Sequence, residues 1–576
     1  MAANSSPSSS PELRLWPGAA LVALEWAAWF VPRLLLPEAA GQGMMLSMAA
    51  GVAVLAWWLL LSRAPWLERL GVLAFLVGTI AAARLLLHES LAGAGMGMLF
   101  FILALPVANL ALVLALIGTR GSPERTRRSV LALALAAGAS LFPLLRTGGV
   151  SGGGASDLRW RWSATPEERL LAERGNEEPQ AGPEPEGPSS AEWPGFRGPG
   201  RDGVVRGTRV AHDWSTRPPV ELWRRPVGPG WSSFAVQGPL LFTQEQRGEE
   251  ELVSAYHRVS GALAWVHTDR VRFEESNAGA GPRATPTCHG GVLYTLGATG
   301  LLNALEAASG RPLWARDAAR DTGEAVPEWA FSGSPLVVGE RVVVAVSGRL
   351  AAYARADGAL LWVGPAEGGS YGSPQHATLH GVEQLLLLAG AGVRSVSPQD
   401  GSLLWKHDWK GGTGILQPAL GDDGELFLSA LDAMGGVGLR RLALAHDGAA
   451  WTVEERWTSR GLKPYFSDFV RLGGCAYGLD NGLLVCLDLE SGERRWKDGR
   501  FGHGQLLLLV DQELVLVLSE EGELALVRAR PEGYEELARL PALNGKTWNH
   551  PVLVGEELFV RNAEEMAAYR LPSAGT

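Results

Sequence analysis

Residues 193–576 of this 576-residue chain repeat one pattern, and that repeat constrains the fold more than any other feature. In each copy an apolar run is followed by a Ser-Gly or Asp-Gly turn and by a second run that ends in tryptophan. Such turns between apolar runs indicate β-hairpins. The clearest copies are SAYHRVSGALAW (254–265), NALEAASGRPLW (303–314), AAYARADGALLW (351–362), RSVSPQDGSLLW (394–405) and VCLDLESGERRW (485–496). A looser copy occupies 441–457, and in 525–540 Leu540 stands where tryptophan is expected.

Two further strand patterns precede each hairpin, and four strands in about 40–50 residues are typical of one β-propeller blade. The units begin near Trp231, Thr285, Phe331, Tyr371, Ile415, Phe466, Gly504 and Thr547. The last unit offers only three strands, so we expect the isolated strand 220–225, with Trp223, to close the ring with 547–570. The sequence therefore predicts an all-β eight-bladed propeller over 193–576, with its repeated tryptophans packed between blades.

Residues 1–147 contain five apolar stretches, each near the ~20 residues that a helix needs to cross a bilayer. The stretches are 16–36, 43–61, 70–87, 94–118 and 129–145. Arginines are concentrated in loops 62–69 and 119–128, whereas loops 37–42 and 88–93 have none. The positive-inside rule then predicts a multi-pass anchor in a bacterial inner membrane, with a cytoplasmic amino terminus and a periplasmic propeller.

Three ionisable residues fall inside the predicted spans. Arg33 and Arg84 are near span ends, where an arginine side chain can extend to the interface. Glu25 is deeper in its span, so it could pair with Arg84 or belong to a quinone or proton path.

The segment 148–192 is rich in Gly, Pro and Glu, which predicts a flexible linker with a short helix at 166–174. Residues 148–576 hold 41 basic and 55 acidic residues, a net charge of −14. This balance argues against a nucleic-acid partner, because phosphates are bound by clustered Lys and Arg. Three cysteines exclude a disulfide-rich scaffold, and a bond between Cys475 and Cys486 is left open.

Three passages resemble the PQQ-like (pyrroloquinoline-quinone) repeat family of bacterial membrane-associated propellers. They are WPGFRGPGRDGVV (193–205), VELWRRPVGPGWSSFAV (220–236) and GPRATPTCHGGVLYTLGATGLLNALEAASGRPLW (281–314). The repeat also resembles the tryptophan-docking motif of quinoprotein dehydrogenases, and the implied fold is BamB-like. The resemblance covers about 193–570. In residues 1–147 only the layout, five helices before a propeller, is similar to a membrane-bound quinoprotein.

The resemblance to dehydrogenases implies PQQ between aromatic rings, Ca²⁺ or Mg²⁺ on carboxylate and amide oxygens, and an aspartate base. Asp468 is the only acid among the predicted starts of the inner strands. The paired adjacent cysteines of many such enzymes are also missing. We therefore assign no metal ligand, keep Asp468 as a weak catalytic candidate, and leave PQQ and Ca²⁺ open as cofactors.

The inner-strand starts share aromatic and uncharged polar side chains, which we expect to ring one mouth of the central channel. The candidates are Trp231, Arg283, Trp329, Phe331, Tyr371, Gln375, Gln417, Tyr465, Trp548, Asn549 and His550, with Phe466 and His376 beside them. Aromatic faces with amide and imidazole groups suit a flat cofactor, a sugar or a peptide segment. The alternative is that each of these side chains only packs between blades.

Two functions follow from these features. The first is a non-catalytic binding or scaffold propeller in the cell envelope, with the bilayer and envelope proteins or a small ligand as partners. The second is a PQQ-dependent alcohol or sugar dehydrogenase that passes electrons to membrane quinone. The membrane anchor favours the second, but the scarcity of acids at the strand starts favours the first, which we prefer.

Overall fold

The structure, a computed structural model, describes residues 13–35, 39–174, 177–180, 191–366, 368–390, 392–409, 413–422, 424–432 and 435–574. The chain forms two compact units. The helical unit extends to Ser163 and includes Glu275–Ala278, and the second unit contains the propeller.

Five helices of the first unit are long and apolar enough to cross a membrane, as the five apolar stretches predicted. They are Trp16–Leu35, Ala40–Leu61, Trp66–Leu86, Leu99–Gly118 and Glu124–Ser140. A sixth, short helix, Glu89–Gly93, replaces most of the predicted loop 88–93. The imidazole of His88 caps this helix by accepting a hydrogen bond from the Ser90 backbone N–H. The predicted loop 37–42 lies partly outside the described residues.

The two arginine-rich loops lie at the same end of the helical bundle. Arg127 donates through Nε and Nη2 to the two carboxylate oxygens of Glu68, at 2.7 Å each. Both residues are buried, and each lies in the first turn or two of its helix. If the helices cross the membrane in alternating directions, loops 62–69 and 119–128 must lie on the same side. The ion pair between Glu68 and Arg127 places them at the same end of the bundle, as this requires.

Glu25 pairs with an asparagine, so the predicted alternative of a Glu25–Arg84 pair is not formed. Its carboxylate is fully buried and accepts hydrogen bonds from Asn109 Nδ2, 3.1 Å from each oxygen. The Arg84 guanidinium instead lies over the Phe101 ring, 5.3 Å from its centroid.

The segment between the helices and the propeller contains regular structure. Strands Leu145–Val150 and Ser156–Trp160 form an antiparallel hairpin. Helix Pro166–Arg174 lies where the short helix is predicted. Flexibility of the remaining linker stays a prediction, because residues 175–176 and 181–190 lie outside the described part of the chain.

Eight sheets, each with four antiparallel blade strands, confirm the predicted eight-bladed propeller; the blade 7 sheet also has a fifth, parallel strand, Val204–Val205. Blade 1 comprises Ala235–Gln237, Leu240–Arg247, Glu250–His257 and Leu263–Asp269. Blade 2 comprises Thr287–His289, Val292–Leu296, Leu301–Glu306 and Pro312–Asp317. Blade 3 comprises Leu336–Val338, Arg341–Val346, Arg349–Ala354 and Leu360–Val363. Blade 4 comprises Gln375–Leu379, Val382–Ala389, Gly392–Val396 and Leu403–Asp408.

The other four blades repeat this order from inner to outer strand. Blade 5 comprises Ala419–Leu420, Glu425–Asp432, Gly435–His446 and Trp451–Ser459. Blade 6 comprises Phe469–Leu472, Cys475–Asp480, Leu483–Asp488 and Arg494–Arg500. Blade 7 comprises Gln505–Leu509, Leu514–Leu518, Glu523–Arg528 and Glu536–Pro541. Blade 8 comprises Val552–Val554, Glu557–Arg561, Glu565–Arg570 and Val220–Pro226.

The ring closes by pairing a strand from the start of the propeller sequence with strands from its end. Val220–Pro226 runs antiparallel to Glu565–Arg570, with Trp223 opposite Ala568. The three-stranded last unit therefore gains its fourth strand, and no edge of blade 8 is left open at the closure.

The repeated tryptophans join each blade to the next. The indole N–H donates to a backbone carbonyl in the next hairpin turn at six positions: Trp223 to Arg258, Trp265 to Ala307, Trp314 to Arg355, Trp362 to Pro398, Trp457 to Leu489 and Trp496 to Arg530. Trp405 differs, since it donates to Gln384 within its own blade and lies beside Trp451. This exception coincides with the looser sequence copy at 441–457.

The turn glycine supports this docking, and its replacement should destabilise the propeller. Gly358 has φ +70°, and a Cβ there would come within 2.6 Å of the Trp314 ring. We expect Gly358→Ala to lower the free energy of unfolding by about 3 kcal/mol, from left-handed strain plus overlap. Gly339, in the same blade, has φ +55° but open space around it. Gly339→Ala should therefore cost only about 1 kcal/mol. Equal unfolding midpoints for the two variants would contradict docking onto the glycine.

Candidate functional site

The mouth of the central channel is the end at which the eight inner strands begin. Residues 193–205, which we call the plug, run against the inner strands that surround the channel. Trp193 pairs with Val236 on blade 1, and the Pro194 carbonyl accepts from Cys288 N–H on blade 2. Val204–Val205 then pairs in parallel with the end of the blade 7 inner strand.

The middle of the plug reaches the level of the inner-strand starts. Arg197 donates to the Phe469 carbonyl of blade 6 at 2.7 Å, and the Phe196 ring packs edge-on against His550 of blade 8. Arg201 donates to the Ser334 and Pro335 carbonyls of blade 3. The plug thus joins inner strands of seven blades once its contact with Gln417 of blade 5 is included.

Asp468 lies at the base of the mouth in a buried charge network. Its carboxylate is 3.2 Å from Arg197 Nη1 and 2.9 Å from His550 Nε2. Burial alone would raise the pKa of Asp468, but the Arg197 charge and the His550 hydrogen bond outweigh it and lower that pKa. Asp468 is therefore an ionised partner of the plug rather than an acid exposed to a ligand.

An aromatic wall lines one side of the mouth. It consists of Trp231, Tyr465, Phe466, His503 and Trp548, all half-buried. The Trp548 ring centroid lies 4.8 Å from those of both Trp231 and Phe466, and Phe466 stacks on His503 at 5.5 Å. The Lys546 ammonium lies 4.4 Å from the Trp548 ring centroid. Trp329 and Tyr371, 5.2 Å apart, form a second aromatic pair beside blades 3 and 4.

Three of the predicted amide residues are buried at or just before the starts of inner strands. Asn549 Nδ2 donates to the Ser232 and Gly230 carbonyls, and Gln417 Nε2 donates to the Arg201 carbonyl at 3.4 Å. Gln375 begins the inner strand of blade 4 and is 6% exposed. Among the described residues, the side-chain oxygens of Asn549, Gln417 and Gln375 have no donor.

The remaining candidates have other surroundings. Phe331 is 2% exposed and packs in the hydrophobic cluster between blades 2 and 3. Arg283 donates to the Gly279 and Gly281 carbonyls of its own loop. His376, on the inner strand of blade 4, faces Glu383 of the neighbouring strand at 2.9 Å. Phe331 therefore only packs between blades. Arg283 contacts its own loop, and His376 contacts its own blade.

Sequence reasoning missed the two plug arginines and the residues that brace the wall. Gln505 Nε2 donates to the Phe466 and Trp548 carbonyls, both at 3.2 Å. Glu520 accepts from the Trp548 indole N–H at 2.8 Å. Two arginines within a Gly- and Pro-rich segment, outside any strand pattern, were the available signal.

The residues at the mouth do not fit a Ca²⁺ site. Ca²⁺ takes six to eight oxygen ligands, usually several of them carboxylates. The Asp468 carboxylate already faces the Arg197 guanidinium, which would repel a cation. Within the described ranges, no three His, Cys, Asp or Glu side chains come together as a potential metal site. We therefore assign no metal-dependent step to Asp468. All three cysteines are buried and free.

Two buried carboxylates of blade 1 have opposite pKa shifts. Burial raises the pKa of Glu251 to about 7, although the Ala298 N–H donates to its carboxylate. Burial would also raise the pKa of Glu245. The charge of Arg247 and hydrogen-bond donors such as Tyr256 outweigh burial there and lower the pKa of Glu245 to about 2.

These shifts predict a pH-dependent stability. The folded chain holds the Glu251 proton more tightly than the unfolded chain, so this group destabilises the fold as pH rises from about 4.3 toward 7. Glu251→Gln should therefore stabilise the protein at pH 8 by up to about 3 kcal/mol and have little effect at pH 4. Glu245→Gln should destabilise it at pH 8, because a lowered pKa favours folding above the unfolded value. Unfolding midpoints from pH 4 to 8 test both, and a pH-independent effect of Glu251→Gln would contradict the assignment.

A family model described as outer membrane protein assembly factor BamB matches residues 249–415, which are 167 of the 576 residues. Together with the eight blades and the docked tryptophans, this match supports a PQQ-like repeat class for the propeller. No curated protein sequence matches the chain.

Solved structures with propellers are similar at low sequence identity. BamB from Moraxella catarrhalis is 16% identical, covering 62% of this chain and 99% of that one, with a TM-score of 0.45. Quinohemoprotein alcohol dehydrogenase from Comamonas testosteroni is 12% identical, covering 71% and 86%, with a TM-score of 0.49. Sqt1 from Saccharomyces cerevisiae is 11% identical, covering 65% and 100%, with a TM-score of 0.42. Similarities this low say nothing about activity.

Proposed function

We propose that this chain is a membrane-anchored envelope protein whose propeller binds a partner at the mouth without carrying out chemistry. The observation that carries this proposal is the state of Asp468. The only acid among the strand starts is held by Arg197 and His550, so it supports the plug instead of serving as a base or metal ligand. The half-exposed aromatic wall above it supplies a binding surface.

The anchor consists of the five apolar helices, inserted in the inner membrane with the amino terminus in the cytoplasm and the propeller in the periplasm. The bundle supports this arrangement, because the arginine-rich loops 62–69 and 119–128 lie at one end of it. Fusions of alkaline phosphatase test the orientation. A fusion after residue 148 should be active and a fusion within loop 62–69 inactive, and the reverse pattern would contradict the topology.

The binding role is tested with a photoreactive amino acid in the full-length chain in cells. Placed at Tyr371, at the mouth, it should give a discrete cross-linked adduct. Placed at Leu313, exposed on the outer strand of blade 2, it is the matched control and should give none. Adducts from Leu313 alone would contradict the mouth as the binding surface.

A PQQ-dependent dehydrogenase is the second candidate, and the aromatic wall is the observation that favours it, since flat rings suit a flat cofactor. The detergent-solubilised protein with added PQQ and Ca²⁺ should show no dye-linked oxidation of primary alcohols or aldoses. Stoichiometric PQQ uptake with turnover that Asp468→Asn abolishes would overturn the binding proposal.

A further inference from the structure

Arg201 is a cation at the base of the mouth that contacts no carboxylate within the described residues. Its guanidinium donates only to the Ser334 and Pro335 carbonyls, at 3.3 and 3.0 Å. The buried Nε has no acceptor in the described part of the chain. Burial and the neighbouring Arg197 lower the pKa of Arg201 to about 9. A cation removed from water is costly unless an anion accompanies it.

The nearest acid does not offset this charge. Asp468 is already neutralised by Arg197, from which it accepts at 3.2 Å, and by the hydrogen bond to His550. The plug thus brings two guanidinium groups to the base of the mouth against one carboxylate. The excess charge there suits an anionic group, and a guanidinium pairs well with a carboxylate.

Two buried oxygens near the plug need hydrogen-bond donors. Asn549 Nδ2 donates to two backbone carbonyls and Gln417 Nε2 donates to Arg201 O, so the orientations of both amides are set by these bonds. Their oxygens have no donor among the described residues, and both side chains are at least 96% buried. A buried acceptor without a donor is costly. A ligand rich in N–H groups would satisfy them, whereas PQQ presents mainly carbonyl and carboxylate oxygens.

We propose that the mouth captures the carboxyl-terminal end of an extended peptide whose last residue is aromatic. The terminal carboxylate pairs with Arg201, backbone N–H groups donate to Gln417 and Asn549, and the last ring packs against the aromatic wall. Trp548, Trp231 and Phe466 present half-buried ring faces for that contact. This inference rests on the proposed binding function and names the ligand class for the same site.

The test measures fluorescence anisotropy of two labelled hexapeptides against the full-length chain in detergent. Both peptides end in phenylalanine, one as the free acid and one as the carboxyl-terminal amide. The wild type should bind the acid at least about tenfold more tightly than the amide. Arg201→Gln should remove this difference. Arg206→Gln is the matched control, because Arg206 follows the plug in sequence, is exposed and pairs with Asp202. This variant should keep the preference.

Equal binding of acid and amide to the wild type, no binding of either peptide up to 1 mM, or an intact acid preference in Arg201→Gln would overturn the inference. The wild-type comparison decides the matter even where Arg201→Gln fails to fold. If the peptides show no preference for the free acid but Tyr371 still gives cross-linked adducts and no PQQ-dependent turnover is seen, the inference fails and the proposed binding function is retained. PQQ-dependent turnover would overturn the binding function itself.

Discussion

Replacing Arg561 with methionine is expected to lower the free energy of unfolding of the propeller by about 3–5 kcal/mol. Arg561 belongs to blade 8 and is fully buried. Its guanidinium donates to the Gly228, Gly230 and Gln244 carbonyls and to Thr243 Oγ1, all at blade 1. Methionine would remove all four of these hydrogen bonds, although the Gly230 carbonyl keeps Asn549 Nδ2 as a donor. Each buried acceptor left without a donor costs about 1–3 kcal/mol before relaxation.

Thermal unfolding of the full-length chain in detergent measures this effect. The control is Arg570→Met, since Arg570 ends the next strand of the same blade and is exposed. Its replacement should change stability by no more than about 0.5 kcal/mol. Similar melting temperatures for the two variants would show that Arg561 does not secure the ring closure.

Replacing Arg197 with methionine is expected to destabilise the propeller by about 3–5 kcal/mol, because it leaves the buried Asp468 carboxylate without its cation. Arg197 and Asp468 are 4% and 2% exposed. In the Arg197→Met background, Asp468→Asn should recover part of the loss, since it removes the uncompensated charge. A double-mutant cycle of unfolding free energies measures this coupling.

The same pair predicts a dependence on acid. The pKa of Asp468 is lowered in the folded state, so the pair stabilises the protein above the unfolded aspartate pKa of about 3.9 and is lost as pH falls below it. Asp468→Asn should remove this component of acid sensitivity. Additive losses in the cycle, with unchanged acid sensitivity in Asp468→Asn, would contradict a coupled buried pair.

Local patterns were enough to predict the blades. The hairpin turns and their tryptophans are near neighbours in sequence, and a strand of period two specifies its own sheet face. The structure adds that the looser copy at 441–457 follows the blade in which Trp405 bonds to Gln384 instead of to the next turn. The five apolar helices followed equally from length and composition.

The candidate site was predicted only in part. Trp231, Tyr465 and Trp548 were found because their strand starts share one character, and the structure brings them into the aromatic wall with Phe466 and His503. Phe331 shares the same sequence position but turns into the core. Which way a ring at a strand start turns depends on the neighbouring blade, and the sequence of one repeat does not contain that information.

The sequence by itself determined the eight-fold repeat, the apolar helices and the single acid among the strand starts, because each is a property of residues close together in the chain. Only the tertiary structure decided what that acid does. Arg197 and Asp468 are 271 positions apart in the sequence and meet because the plug packs against the start of the blade 6 inner strand. Contacts across a closed ring join residues that no local sequence pattern connects. The arrangement of charges at the base of the mouth, with its excess positive charge, could therefore be seen only in the tertiary structure.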